Sequence, residues 1–302
     1  MTNPKFLASI DIGTYSCILL VASVESKDGV EKLVPKLQKV EVCRLGEDIF
    51  ETGAVSEKRL QDLMKILSRF RSTLNALGVQ LQAAIMTEAM RKASNSDLVI
   101  ERVEKSLWIR PQIISGEEEA AYSFMAVSRW YSTDVLSLDI GGGSTELSLL
   151  KKNMSIPVGA LALFKQMGAI PGPEYKQFVK GIFKEHPVRA FAKKEIVLIG
   201  GTATALAMVY LNLSEFDYEK IEGLELHLND LEMVTTRISN LSKDLRAMLP
   251  GLENGRSDVI ICGLYWLKSL LERLHVTSFK ISTAGIRFGV LYSSLENTHA
   301  TQ

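Results

Sequence analysis

The run Asp139-Ile-Gly-Gly-Gly-Ser-Thr-Glu146 concentrates the residues best suited to chemistry in this chain. Three consecutive glycines, Gly141, Gly142 and Gly143, let the backbone approach a ligand closely and let successive amides converge on an anion, for which phosphate is the obvious guest. Ser144 and Thr145 add hydroxyls to the same turn. A bare turn would account for the glycines alone. The flanking carboxylates add something a turn does not need: Asp139 and Glu146 can both stand at its mouth, where their repulsion calls for a cation. Mg²⁺, with Mn²⁺ as an alternative, would bridge carboxylate, water and phosphate there.

Asp11-Ile-Gly-Thr-Tyr-Ser16 is a weaker copy, in which Asp11, Gly13, Thr14 and Ser16 offer a second phosphate contact. Gly200-Gly-Thr202 follows a strand-like run and opens a helix, so amides at a helix start could face an anion at Gly200, Gly201 and Thr202. In Ser115-Gly-Glu-Glu-Glu119, Ser115 as N-cap and Glu118 as third helical residue make a capping box, and Glu117 suits the helix dipole. Glu119 is left without a structural task. Arg91 and Arg287 each read as a surface charge ahead of a phosphate clamp, and Arg256 with Asp258 as a surface ion pair.

These residues need elements to hold them. Phe6–Ile12 and Ser16–Val24 read as a hairpin bending at Gly13, with a third strand within Leu33–Cys43. From Ser56 the period changes: Leu60, Leu63, Leu67, Phe70, Leu74 and Leu77 mark an amphipathic helix that Gly78 ends. Ala83–Thr87 and Gln112–Ile114 read as strands, Asp97–Leu107 and Glu117–Trp130 as helices. An internal repeat follows, since Ser9–Ser16 and Ser137–Ser144 share the pattern S-[IL]-D-I-G-x-x-S. Two related domains are implied, each opening with a glycine-bent hairpin. Beyond the second hairpin come a third strand at Ser155–Val158, a strand at Ile196–Ile199 with the helix Ala203–Leu211, helices near Asn229–Leu241 and Asp258–Leu274, a strand at Ser278–Ser282 and a last helix from about Gly285.

With 302 residues, two domains are the default expectation. Lys+Arg and Asp+Glu balance at 35 each, which gives no reason to expect nucleic acid or membrane as a partner. Cys17, Cys43 and Cys262 are odd in number and set among apolar neighbours, as buried thiols in a reducing compartment would be. No His or Cys stands at zinc-ligand spacing, so a metal must use oxygen donors. The opening residues carry no leader pattern and no run reaches about 18 apolar residues, which predicts a cytoplasmic protein.

In this order, Asp11-Ile-Gly-Thr14, Thr87-Glu-Ala-Met-Arg91, Ile114-Ser-Gly-Glu-Glu-Glu-Ala120, Asp139–Glu146 and Gly200-Gly-Thr202 resemble the exopolyphosphatase/guanosine pentaphosphate phosphohydrolase (Ppx/GppA) family. The resemblance runs from about Phe6 to Tyr292 and includes Leu249–Leu252, Arg256-Ser-Asp258 with Gly263, and Gly285–Tyr292. It implies an α/β fold of two ribonuclease-H-like domains, of the actin/hexokinase/Hsp70-like superfold, with the active site in an interdomain cleft. Residues 1–120 would form the first domain, completed by a C-terminal helix at 289–302, and residues 121–288 the second. Glu119 would then be the general base that activates water, Asp139 and Glu146 would organise Mg²⁺ and the attacking water, and Arg91 and Arg287 would clamp phosphate.

The implied reaction releases orthophosphate from inorganic polyphosphate or from guanosine pentaphosphate. Two departures from the family pattern bear on it: Tyr15 stands where Asn is usual, and Ser282-Thr-Ala284 where Ser-Asp-Gly is usual. Ending at Gln302, the chain resembles the short, two-domain type. A non-catalytic sensor of phosphate polymers or alarmones, and a sugar-kinase-like or actin-like ATPase, are the competing functions on the same fold. A homodimer is left open.

Overall fold

A computed structural model describes residues 5–27, 30–193, 195–252 and 256–300. The opening residues 1–4, read above for a leader, and residues 301–302, the end of the expected last helix, lie outside the described residues. The chain divides into two compact units, Met1–Arg129 with Gly285–Gln302, and Trp130–Ala284.

The first unit is built on five strands, β1 (Phe6–Ile12), β2 (Ser16–Lys27), β3 (Val30–Val42), β4 (Leu81–Met86) and β5 (Gln112–Ile113), in the order β3-β2-β1-β4-β5. β1, β2 and β3 form an antiparallel meander, and β4 and β5 continue the sheet in parallel from β1. Between β3 and β4 the helix Glu57–Leu77 buries Leu60, Leu63, Ile66, Leu67, Phe70 and Leu74. Ser56 caps it by accepting from the Arg59 amide at 3.3 Å, and Gly78 ends it in the left-handed conformation. Leu77, in phase with the apolar row, is 52% exposed because the core ends one turn earlier.

The second unit repeats the scheme. β6 (Leu136–Ile140), β7 (Thr145–Leu149), β8 (Lys152–Ile156), β9 (Ile196–Ile199), β10 (Glu225–His227) and β11 (Ser278–Ile281) lie in the order β10-β11-β9-β6-β7-β8. β6, β7 and β8 form the meander, β9 and β11 extend it in parallel, and β10 adds an antiparallel edge. β8 starts earlier than the expected Ser155–Val158, because the tight turn after Leu149 brings Lys152 opposite it and Val158 has already left the ladder. The helices Ala160–Met167 and Tyr175–Glu185 have no counterpart in the expected element order. The helix Ile260–Leu274 carries the core of this unit, with Trp266 wholly buried.

The last helix, Ile286–Ala300, belongs to the first unit. Ile286 and Val290 pack with Ile85 and Ile114, and the Leu33 amide donates to the Tyr292 hydroxyl at 3.0 Å. The units divide after Arg129 and after Ala284; the boundaries expected at residues 120 and 288 would each cut a helix, Gly116–Trp130 and Ile286–Ala300.

Gly289 is where this helix comes closest to the helix Gly116–Trp130: a Cβ there would meet the Tyr122 carbonyl oxygen at 1.9 Å. That neighbour is backbone and cannot turn away. Gly289→Ala is therefore expected to destabilise the first unit by about 1–3 kcal/mol or more, read as a lowered urea midpoint. An unchanged midpoint would mean that the two helices do not need this closeness.

Candidate active site

The two glycine turns are closed by the same bond. Gly13 N–H donates to Ser16 O at 2.9 Å, and Gly141 N–H donates to Ser144 O at 2.9 Å. The rows of side chains behind them differ. In the second unit the register places Asp139 opposite Glu146, and Glu146 opposite Ser155, so three polar residues line up across β6, β7 and β8. In the first unit the matching row is Asp11, Ile18 and Val40. Only the second hairpin thus faces two carboxylates across one strand pair, where directly opposite residues have Cβ atoms about 4.5–5.5 Å apart.

Glu146 is 2% exposed, and Ser155 Oγ donates to its Oε1 at 3.0 Å. Asp139 lies against the start of the helix Gly200–Leu211, where a Cβ on Gly200 would meet Asp139 Oδ1 at 1.9 Å. Gly200 also has φ +81°, so glycine is required there both for space and for conformation. The first turn of that helix offers a carboxylate favourable dipole electrostatics. The turn itself is anchored by its carbonyls: Gly141 O accepts from Ala160 N, and Gly142 O from Leu161 N and Ala162 N, all at the start of the helix Ala160–Met167. Thr145 Oγ1 donates to Val158 O at 2.6 Å and accepts from the Trp266 indole at 2.9 Å, while Thr202 Oγ1 donates to Ile140 O at 2.9 Å. Both hydroxyls hold the turn in place, so backbone amides are what Thr145 and Thr202 can offer an anion.

Arg256 was not legible as part of this region. It and Asp258 are buried, at 7% and 9% exposure, and not a surface pair. Asp258 lies 3.0 Å from Lys243 Nζ, and the Arg256 guanidinium packs so closely on Gly201 that a Cβ there would meet Nη1 at 2.5 Å. The sequence signal was the Gly-Gly pair, but nothing local links it to an arginine 55 positions later.

In the first unit, β4 runs into the short helix Glu88–Lys92, which presents Arg91. Arg91 Nη1 donates to Ile114 O at 2.7 Å and to Glu119 Oε2 at 3.0 Å, so Arg91 is engaged with Glu119 and is not a bare surface charge. Glu118 makes the expected capping box, accepting from Ser115 N at 2.8 Å while Ser115 Oγ accepts from Glu118 N at 3.1 Å. The Ser115 amide holds the Glu118 carboxyl below its usual range. One residue further on, Glu119 turns to the arginine instead. At the first glycine turn, Asp11 Oδ2 lies 3.7 Å from Arg287 Nη1, and Asp11 Oδ1 is buried without a hydrogen-bond partner. Burial pushes the Asp11 carboxyl up to about 6 against the pull of Arg287.

The sequence profile of the Ppx/GppA phosphatase family matches residues 21–298. The chain belongs to this family. As a member it is a phosphohydrolase, and the two-domain actin-like α/β fold is the family's own. A bifunctional 3-dehydroquinate synthase/phosphatase of Fusobacterium nucleatum is 29% identical over 98% of this chain, which spans 47% of that relative's length. Exopolyphosphatase 1 of Mycobacterium leprae is 24% identical, over 96% of this chain and 90% of its own length. The crystal structure of the Aquifex aeolicus Ppx/GppA family member superposes with a TM-score of 0.77 at 28% identity, covering 98% of this chain and 99% of its own.

The raised Asp11 carboxyl makes stability depend on pH in a defined direction. Its folded value of about 6 lies above the usual 3.8, so the native state keeps a proton that the unfolded chain has already released. This group therefore favours folding least once the pH has risen through about 6, and wild type is expected to lose about 2 kcal/mol relative to Asp11→Asn between about pH 4 and pH 7. Urea titrations of both proteins across that range provide the check. A pH-independent difference would show Asp11 titrating as an ordinary carboxylate.

Proposed function

We propose that this Ppx/GppA member cleaves the terminal phosphoanhydride of inorganic polyphosphate or of guanosine pentaphosphate and releases orthophosphate. The observation that carries the proposal is the facing pair Asp139–Glu146 behind a triple-glycine turn. Its two carboxylates fit a divalent cation of the Mg²⁺ or Mn²⁺ type. Among the described residues no group of three or more His, Cys, Asp or Glu could hold a metal, and Mg²⁺ commonly takes one or two carboxylates and completes its shell with water and substrate phosphate. Such an ion, when bound, neutralises charge on the phosphates and orients them.

The chain's own residues supply the rest. The turn Gly141–Thr145, its carbonyls tied to the helix Ala160–Met167, presents amides to phosphate oxygens. Gly200, Gly201 and Thr202 do the same from a helix start, and Asp11, Gly13, Thr14 and Ser16 form the matching turn of the first unit. Arg91 and Arg287 bind phosphate as guanidinium forks. Glu119, oriented by Arg91, takes the proton from the attacking water. A cytoplasmic location is supported by the free, buried thiols of Cys17, Cys43 and Cys262. Among the described residues no helix is long and apolar enough to cross a membrane.

Loss of a positioned general base removes about 10²–10⁴-fold in rate. Glu119→Gln is accordingly expected to lose about that much kcat with nearly normal substrate binding, whereas Glu118→Gln keeps most activity because glutamine still completes the capping box. The reverse pattern would move the base to Glu118. Orthophosphate release from polyphosphate and from guanosine pentaphosphate, with no phosphoryl acceptor present, separates hydrolysis from a sensor or a kinase-like activity. That release should stop in excess chelator and fall by orders of magnitude in Asp139→Asn and Glu146→Gln; full activity in chelator would remove the metal from the proposal.

A further inference from the structure

In the second unit, the helix Tyr175–Glu185, the 3-10 turn Val188–Phe191 and the helix Ile260–Leu274 border a cavity of about 400 Å³. Its lining holds three cations, Lys176, Arg189 and Arg273, against one carboxylate, Glu272. Glu272 lies 3.8 Å from Lys268 Nζ, on its own helix. The cavity cations have no carboxylate partner among the described residues. Arg189 Nη2 meets His275 Nε2 at 2.6 Å, and the Arg273 guanidinium lies 5.5 Å from the centre of the Phe183 ring. Arg273 Nε is buried and has no hydrogen-bond partner. A guanidinium cannot shed its charge, so a lining of three cations against one carboxylate is stabilised by an anion in the cavity. The hydroxyls of Tyr175 and Ser269, 3.0 Å apart, add neutral polar atoms to the same lining.

We propose that this cavity is a second anion site, separate from the Asp139–Glu146 turn, that takes a diphosphate-class anion. Arginine pairs bidentately with phosphate oxygens, and the volume lies in the range of small-ligand sites and exceeds what a single orthophosphate fills. The site also has a path to the turn. Phe183, under Arg273, stacks on Trp266 at 5.6 Å, and the Trp266 indole donates to Thr145. An anion that draws Arg273 off the Phe183 ring changes the packing on the indole that supports Thr145.

The proposal stands whether or not the chain hydrolyses phosphoanhydrides, and its test is chosen to be independent of turnover. Methylenediphosphonate, which cannot be hydrolysed, is titrated calorimetrically into the full chain in excess chelator, with its adenosine ester in a parallel arm to tell an inorganic from a nucleotide source. Saturable binding is expected, with the tighter arm naming the source. Arg273→Met and Lys176→Glu should each weaken it by about tenfold or more. Lys176 is exposed, so its reversal tests the site without a threat to folding. The Trp266 indole resonance should shift on saturation in wild type and stay still in Arg273→Met. Absence of saturable binding, or equal affinity in wild type and both variants, would overturn the site. Metal-dependent orthophosphate release by Lys176→Glu, measured alongside, is expected at the wild-type rate, so a failure of the hydrolytic reading shows separately.

Discussion

Two carboxylates facing each other across an antiparallel strand pair form a costly arrangement, and much of the second unit can be understood from what holds Asp139 and Glu146 in it. A slip of one residue of β7 against β6 would turn Glu146 to the face opposite Asp139. The register is fixed at the turn by the Gly141–Ser144 bond and behind it by Thr145, whose hydroxyl is shared by Val158 and Trp266. Part of the repulsion is offset locally. Ser155 donates to Glu146, and Asp139 sits over a helix start whose first residue must be glycine to leave it room. Under the proposed function, a divalent cation would offset the rest.

The internal repeat shows how this arrangement is confined to one half of the chain. Both hairpins have the same four-residue turn and the same closing hydrogen bond, and both sheets continue from the hairpin's first strand into parallel neighbours. At the position of Glu146 the first hairpin has Ile18, which is buried. Asp11 consequently faces no second carboxylate. Its oxygen is desolvated and unsatisfied, and that burial raises its affinity for a proton against the pull of the nearby Arg287. One backbone design thus carries two facing carboxylates in one unit and a single proton-holding carboxylate in the other, according to the side chains on the second and third strands.

What the sequence made legible was governed by local physics. The hairpins followed from glycine between β-rich runs, the helix Glu57–Leu77 from its period and caps, and the Ser115–Glu118 box from its spacing, with Glu119 separated from its neighbours by that same box. The misses depend on distant partners. Leu77 kept the helical phase but lies beyond the core it was expected to join. Arg256 is buried against Gly201, a contact that no local pattern encodes, and the hydroxyls of Thr145 and Thr202 turn inward because Val158 and Ile140 offer carbonyls there. The short helices Ala160–Met167 and Tyr175–Glu185 fell between a strand and a glycine-rich stretch, too brief for their apolar period to stand out.

The division of the chain sets an order of events during synthesis. Trp130–Ala284 is contiguous, so everything its sheet and core require has been synthesised before the helix Ile286–Ala300. The other unit is split by it. Its five strands and the helix Gly116–Trp130 emerge first, but the surface around Ile85 and Ile114 stays uncovered until the last segment arrives. Closing that contact joins residues far apart in sequence, a slow class of step, and the uncovered apolar surface is the kind that chaperones bind. The half that is translated first is therefore the half that finishes folding last.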